Sequence, residues 1–328
     1  MESLSYIPQY VSAFYGDAFP GKPKWSPDQI PDLSQKVFLI TGANTGIGKG
    51  TAEDLLAHNA KIYIAGRSAE RVTEAIEDLK KTTGKGDDRV KFLKLDLADL
   101  KSVKTAVDEF LSKESKLDVL INNAGVARGL GSKVDQVTPA GLNLEFAVNV
   151  LGHFYLTQLL LPILISTAAS SSDGKARVVN LASGAHMFSK TGKNGPVDYR
   201  TLEGRHLFPY FAYPQSKSGN LLFSNELARR YGDQGIVSIG IHPGVVATEI
   251  ARDAPAVLQS IARFTILNPV SYGKIGTSYA ATAPEAIELS GKYLIPWDRV
   301  GSPRSDHLDP EKQKELWTWL EEKVKELA

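Results

Sequence analysis

The sequence predicts a doubly wound α/β domain, a single parallel sheet of about seven strands with helices on both faces. Three observations carry this. From Lys36 onward, short β-branched runs alternate with helical stretches. The runs are apolar almost throughout, as strands covered on both faces should be. The first of them passes straight into a cluster of glycines and then into a helical stretch.

Taken in order, the chain of 328 residues opens on an extension over 1–34 with no strong period. Its prolines at 8, 20, 23, 27 and 31 forbid a long helix, so its aromatic residues are expected to lie against the domain. The expected strands are Val37–Ile40, Lys61–Ala65, Val90–Leu95, Val119–Asn122, Arg177–Asn180, Ile236–Ile241 and a short Lys292–Ile295. The main domain spans 35–300. The most apolar stretch, Leu151–Ala169, contains His153, Gln158 and Pro162, which favours a buried helix over a membrane span. Asp309 is a good N-cap and Pro310 fits the first helical position. Leu316, Leu320, Val324 and Leu327 then form one stripe, so 301–328 is expected to end in a packed helix.

Composition removes several functions. Lys and Arg total 38 against 37 Asp and Glu, a net charge of +1 that lacks the basic excess of a nucleic-acid binder. With no Cys, there are no disulfides, thiolate zinc sites or Cys nucleophiles. The six His show no H-x-x-x-H spacing, so no metal site is expected. No targeting segment or transmembrane segment is visible, and a cytoplasmic location is expected.

The glycine cluster carries the chemistry. Thr41-Gly42-Ala43-Asn44-Thr45-Gly46-Ile47-Gly48 follows a strand and precedes a helical stretch over Lys49–His58. Glycines allow a tight turn and close backbone approach to a pyrophosphate, and a helix N-terminus offers free N–H groups. This is the phosphate loop of a Rossmann-type dinucleotide site. An acid about 20 residues on would bind the ribose 2′-hydroxyl of NAD. Here Gly66 and Arg67 occupy that strand end. A guanidinium can grip a 2′-phosphate, which favours NADP(H).

The pattern resembles the short-chain dehydrogenase/reductase family over about Pro31–Pro296. Asp96, followed by Leu97, resembles the adenine-contacting acid. Asn122-Asn123-Ala124-Gly125 resembles the family's N-N-A-G, and Asn149 the helix Asn of its catalytic set. Ser183 after the fifth strand and Tyr213-Pro214-Gln215-Ser216-Lys217 resemble its Ser and Y-x-x-x-K. Pro243-Gly244, with Val246 and Thr248, resembles the segment that holds the nicotinamide end. The 30-residue step from Ser183 to Tyr213 resembles the retinol-dehydrogenase-like and WW-domain-oxidoreductase-like branch. The lead-in Pro20–Trp25 resembles its fungal members. Departures are Gln35 for the usual Gly and Ser218-Gly219 for Leu-Ala.

The resemblance implies interconversion of a carbonyl and an alcohol. Tyr213 would be the proton donor, and Lys217, four residues on along a helix, would lower its pKa. Ser183 would orient the substrate oxygen. Asn149 would hold a water linking Lys217 to solvent, and Lys217 would also hold the nicotinamide ribose. The segments 184–212 and 249–270 would flank the substrate. Met187, Phe188, Tyr199, Leu202, Leu207, Phe208, Tyr210 and Phe211 make the first apolar, and Ile250, Val257, Leu258, Ile261 and Phe264 the second. A bulky apolar or aromatic substrate is therefore expected. His153, His186 and His206 are read as structural or lid residues. Helices around Thr138–Ile165 could pair in a homodimer, unless the N-terminal extension covers that face. Two other readings stay open: a dinucleotide-binding regulator without turnover, and a relative that reduces an activated alkene.

Overall fold

The strands lie side by side in the order β3-β2-β1-β4-β5-β6-β7-β8 in a computed structural model. It describes residues 16–17, 19–86, 88–127, 137–189, 195–204, 209–246 and 268–328. The strands are β1 Val37–Thr41, β2 Lys61–Gly66, β3 Val90–Lys94, β4 Val119–Asn122, β5 Ala176–Leu181, β6 Ile236–Ile241, β7 Tyr293–Ile295 and β8 Arg299–Gly301. Strands β1 to β7 pair in parallel. The sheet has one strand more than the expected seven or so. Strand β8 turns back antiparallel on β7, with Leu294 opposite Val300. At three residues, flanked by Arg299 and Gly301, it carries no apolar run that a sequence pattern could reveal.

Alternation along β1 sorts the two cores. Val37 and Leu39 enter one buried cluster, and Phe38 and Ile40 enter the other. On the first face lie helix α3 (Leu100–Lys113), the long helix α4 (Leu144–Ser170), α5 (Pro209–Tyr231) and α7 (Pro310–Leu327). On the second lie α1 (Gly46–Ala57), α2 (Ala69–Thr83) and α6 (Ile275–Thr282). Helix α4 is long and apolar enough to cross a membrane, yet two-thirds of its most apolar stretch is buried in the fold. Leu156, Leu160 and Leu164 are wholly buried there, each contributing roughly 1.5–3 kcal/mol. Helix α7 is capped by the Asp309 carboxylate on Glu311 N–H, and its Trp317 packs edge-on against Phe154 of α4.

The extension packs on the second face, opposite α4. Trp25, Ile30 and Leu33 are buried in that cluster, and Trp25 meets Tyr279 edge-on at 5.6 Å. The β7–β8 corner grips it: Asp298 accepts from Trp25 N–H at 2.9 Å, and Trp297 Nε1 donates to the Gly21 carbonyl. The strand order reverses between β1 and β4, so the crevice at their carboxyl ends is the topological switch point where α/β sheets bind ligands.

Candidate active site

Strand β1 ends at Thr41 and the chain turns at once. Gly42 has φ +68°, and a Cβ there would stand 2.9 Å from Ala124 Cα. Only glycine lets the β1 and β4 ends approach this closely. Gly46 has φ +57° and starts α1, three residues before the expected Lys49. Thr45 sits at the N-cap without a side-chain hydrogen bond, so the first N–H groups of this 12-residue helix keep no cap of their own. A Cβ on Gly48 would collide with Asn123 Nδ2 and lie 2.9 Å from Gly42 O. Asn44 lies in the turn and Ile47 packs on the second core. This cradle, closed to side chains and lined with free donors, fits a dinucleotide pyrophosphate.

The N-N-A-G turn staples the loop. Asn123 Nδ2 donates to Thr41 O at 2.7 Å and to Gly42 O at 3.2 Å. The Thr41 hydroxyl accepts from the N–H groups of Asn123 and Ala124 at 3.0 and 2.9 Å. At the end of β2, Arg67 is exposed and makes no ion pair among the described residues. A Cβ on Gly66 would lie 3.0 Å from Val72 Cγ2, a tight fit for an acidic side chain. After β3, Asp96 accepts from Ala98 N–H, and Leu97 is buried with its backbone close against Gly152 of α4. Gly244 turns with φ +84° against Pro296, and Val246 bridges to Asn268. Pro243 lies between them and β6, whereas Thr248 lies outside the described residues.

The four expected catalytic residues come together. Ser183 caps the turn over Gly184–Phe188, its hydroxyl accepting from Ala185 N–H. It also acts on the Tyr213 phenol, favouring its ionised form. Lys217 follows one turn later on α5, its Nζ 5.6 Å from the Tyr213 ring centre. That Nζ donates to Leu181 O at 2.7 Å. A Cβ on Gly125 would lie 3.6 Å from Lys217 Nζ and 3.4 Å from Asn149 Oδ1, so this glycine keeps the approach to both open. Asn149 sits in a π-helical turn, Ala147–Leu151, inside α4. Its side chain clamps Val126 in both directions, donating to its carbonyl at 3.0 Å and accepting from its N–H at 2.8 Å. It also donates to Ser216 Oγ, which in turn donates to Tyr213 O.

Electrostatics departs from one expectation. Burial drives the Tyr213 hydroxyl up to about 12, and the opposing influence comes from the Ser183 hydroxyl, not from Lys217. Burial also pushes Lys217 down to about 7. An amine held that low and turned toward Leu181 O is a weak positive neighbour for the phenol near neutrality. The water assigned to Asn149 must compete for its carbonyl, which already accepts from Asn220 Nδ2 at 2.7 Å and from His153 Nδ1 at 3.0 Å.

The apolar wall divides. Tyr199 and Leu202 are not cleft residues: Leu202 is buried in the first core, and Tyr199 stacks at 5.7 Å on Trp319 of α7. Met187 and Phe188 end the short turn that Ser183 caps, Met187 buried and Phe188 half exposed. The side chains of Tyr210 and Phe211, together with Leu207, Phe208, His206, Ile250, Val257, Leu258, Ile261 and Phe264, lie outside the described residues. Thr41, His153, Ser216 and Asn220 were not singled out for the site by sequence reasoning. Asn220 carried one available signal, since it lies seven residues after Tyr213 and so on the same helical face.

An open α/β sheet with a phosphate cradle at its switch point and a Ser-Tyr-Lys group beside it defines a dinucleotide-dependent oxidoreductase architecture. The chain belongs to the short-chain dehydrogenase family, whose model matches residues 36–195. A short-chain dehydrogenase/reductase of Armillaria gallica is 44% identical over 94% of this chain and 96% of its own length. Mouse retinol dehydrogenase 12 is 40% identical over 83% of this chain and 80% of its own. A crystal structure of a putative uncharacterized protein from Mycobacterium paratuberculosis superposes with a TM-score of 0.70, at 29% identity over 92% of this chain and 97% of its own.

Proposed function

We propose that this chain interconverts a carbonyl compound and its alcohol, using NADPH and preferring bulky apolar substrates. The observation that carries the reading is the grouping of Ser183, Tyr213 and Lys217 at the end of β5 and the start of α5, beside the pyrophosphate cradle. The reduced nicotinamide would supply the hydride. Ser183 and Tyr213 both offer hydroxyl protons to the substrate oxygen, which orients the carbonyl and stabilises the charge that develops on it. Tyr213, neutral well above physiological pH, is the group that gives its proton to that oxygen. Lys217 exchanges protons near neutrality, which suits it to restoring the tyrosine.

Arg67, exposed and without an ion pair among the described residues, and the missing acid at Gly66 support the 2′-phosphate. Met187 and Phe188, on the turn that Ser183 caps, support an apolar wall, as does the likeness to a relative named for retinol, an apolar alcohol. The test is a panel of carbonyl compounds with NADPH or NADH, read by absorbance of the reduced nicotinamide. Turnover of a bulky aryl ketone should exceed that of dihydroxyacetone in kcat/KM. A better rate on the small polar ketone overturns the apolar cleft. Binding of NADPH without turnover on the whole panel overturns the enzyme reading.

A further inference from the structure

His153 lies on α4, fully buried, between the two halves of the site. Its Nδ1 faces the Asn149 carbonyl at 3.0 Å, and a carbonyl can only accept, so Nδ1 carries the proton. Nε2 is then a lone pair, and it faces Thr41 Oγ1 at 2.8 Å. The Thr41 hydroxyl accepts from Asn123 and Ala124 N–H groups and has one proton to give, for which the imidazole at 2.8 Å is a better placed acceptor than the Ile121 carbonyl at 3.4 Å. Every donor and acceptor in this chain of contacts is matched in one tautomer only. Burial and the nearby Lys217 charge hold the ring far down, at about 4, so it stays neutral through the physiological range.

The contacts run from the phosphate loop to the proton donor. Thr41 sits directly before Gly42 and receives the N-N-A-G turn. Asn149 reaches Ser216, and Ser216 reaches the Tyr213 carbonyl. We infer that His153 is a positioning residue that couples the mouth of the phosphate loop, through Thr41, to the Asn149 clamp and the Tyr213 turn. The inference rests on the reductase reading for its catalytic half alone.

Two substitutions split the ring's two contacts. In His153→Asn the amide nitrogen stands near the place of Nδ1, keeping the donor to Asn149 and losing Thr41. In His153→Gln the amide extends to the place of Nε2, keeping Thr41 and losing Asn149. Both leave a void and lower Tm, so Tm does not distinguish them. The readouts are NADPH affinity, by fluorescence titration without substrate, and kcat. His153→Asn should weaken NADPH binding by about 2- to 10-fold, the range of one neutral hydrogen bond, with the smaller loss in kcat. His153→Gln should show the opposite split, with the larger loss in kcat. Equal losses in both variants, or losses confined to Tm, overturn the coupling. If the parent turns over no carbonyl compound, the reductase reading falls, and the coupling is then judged on the NADPH titration: weakening in His153→Asn but not His153→Gln supports it, and any other pattern overturns it.

Discussion

The end of the crevice proposed for the cofactor and the end proposed for the substrate are built by different means. At the cofactor end, neighbouring strands β1 and β4 close on each other through short contacts between Thr41, Gly42, Asn123 and Ala124. At the substrate end, four distant pieces meet: Asp17, the Ser183–Ser189 turn, His242 and the 293–307 stretch. Arg304 alone donates to the carbonyls of Met187 and Ser189 at 3.2 and 2.8 Å. Among the described residues, His186, His242 and His307 each bury an Nε2 without a hydrogen bond, that of His242 lying 3.9 Å from Asp17 Oδ2, and Tyr293 buries its hydroxyl likewise. His186 packs edge-on against both Tyr293 and His307, at 5.2 and 5.0 Å. The cofactor end is thus locked by short bonds from two side chains to backbone within one pair of neighbouring strand ends. The substrate end is held by side chains from distant segments, among them imidazoles whose neutrality is a condition of the packing, because an unpaired buried charge is costly.

The strongest way to separate the two ends is Tyr213→Phe. Loss of the proton donor should lower kcat at least ~10²-fold with NADPH affinity nearly intact. Near-normal turnover would show that the chemistry does not use Tyr213. Next in size is Arg67→Ala, which acts on the cofactor end alone. A charge-assisted phosphate contact is worth roughly 1.5–3 kcal/mol, so preference for NADPH over NADH should fall about 10- to 100-fold. An unchanged ratio of kcat/KM for the two cofactors removes Arg67 from the site. Gly48→Ala is smaller. Its Cβ would lie 2.9 Å from Ala43 Cα and Gly42 O, so the loop must shift, and NADPH binding should weaken about tenfold. Titration of the variant to the parent's affinity would mean that the cradle is not the phosphate site.

The smallest effect is set by pH and should sharpen the contrast between ends. Burial lowers both His186 and His242 to about 3. The unfolded chain therefore binds more protons than the folded one between about pH 6.5 and 3, and stability falls as pH falls through that window. Asp17, raised to about 6 by burial, acts in the opposite sense, losing stabilisation as pH rises from about 4 to 6. Two imidazoles against one carboxyl leave a net acid weakening at the substrate end, to which His307, lowered by burial, adds; at the cofactor end, among the described residues, His153 alone acts in the same sense. Hydrogen exchange followed from pH 7 to 5 should show 184–189 and 293–307 losing protection before β1 and β4. Uniform loss across the sheet would remove the distinction.

By itself the sequence determined what is local. The glycine spacing after β1, the N-N-A-G after β4 and the Tyr213–Lys217 step are each written within a few residues, because a turn or one helical turn sets their geometry. Their sequential order at strand ends was enough to place them at one edge of the sheet and to identify the family. Only the tertiary structure decided how distant polar side chains pair. Thr41 and His153 meet across 112 residues, and Arg304 reaches Ser189 across 115. Such bonds leave no period in a sequence, since each needs one partner at one angle. Packing also sent Tyr199 to Trp319 of α7 when its place in the chain pointed to the cleft. It added β8, whose three residues pair because β7 offered a free edge. Desolvation set the tyrosine and lysine pKa values apart, a matter of what surrounds the pair and not of their spacing.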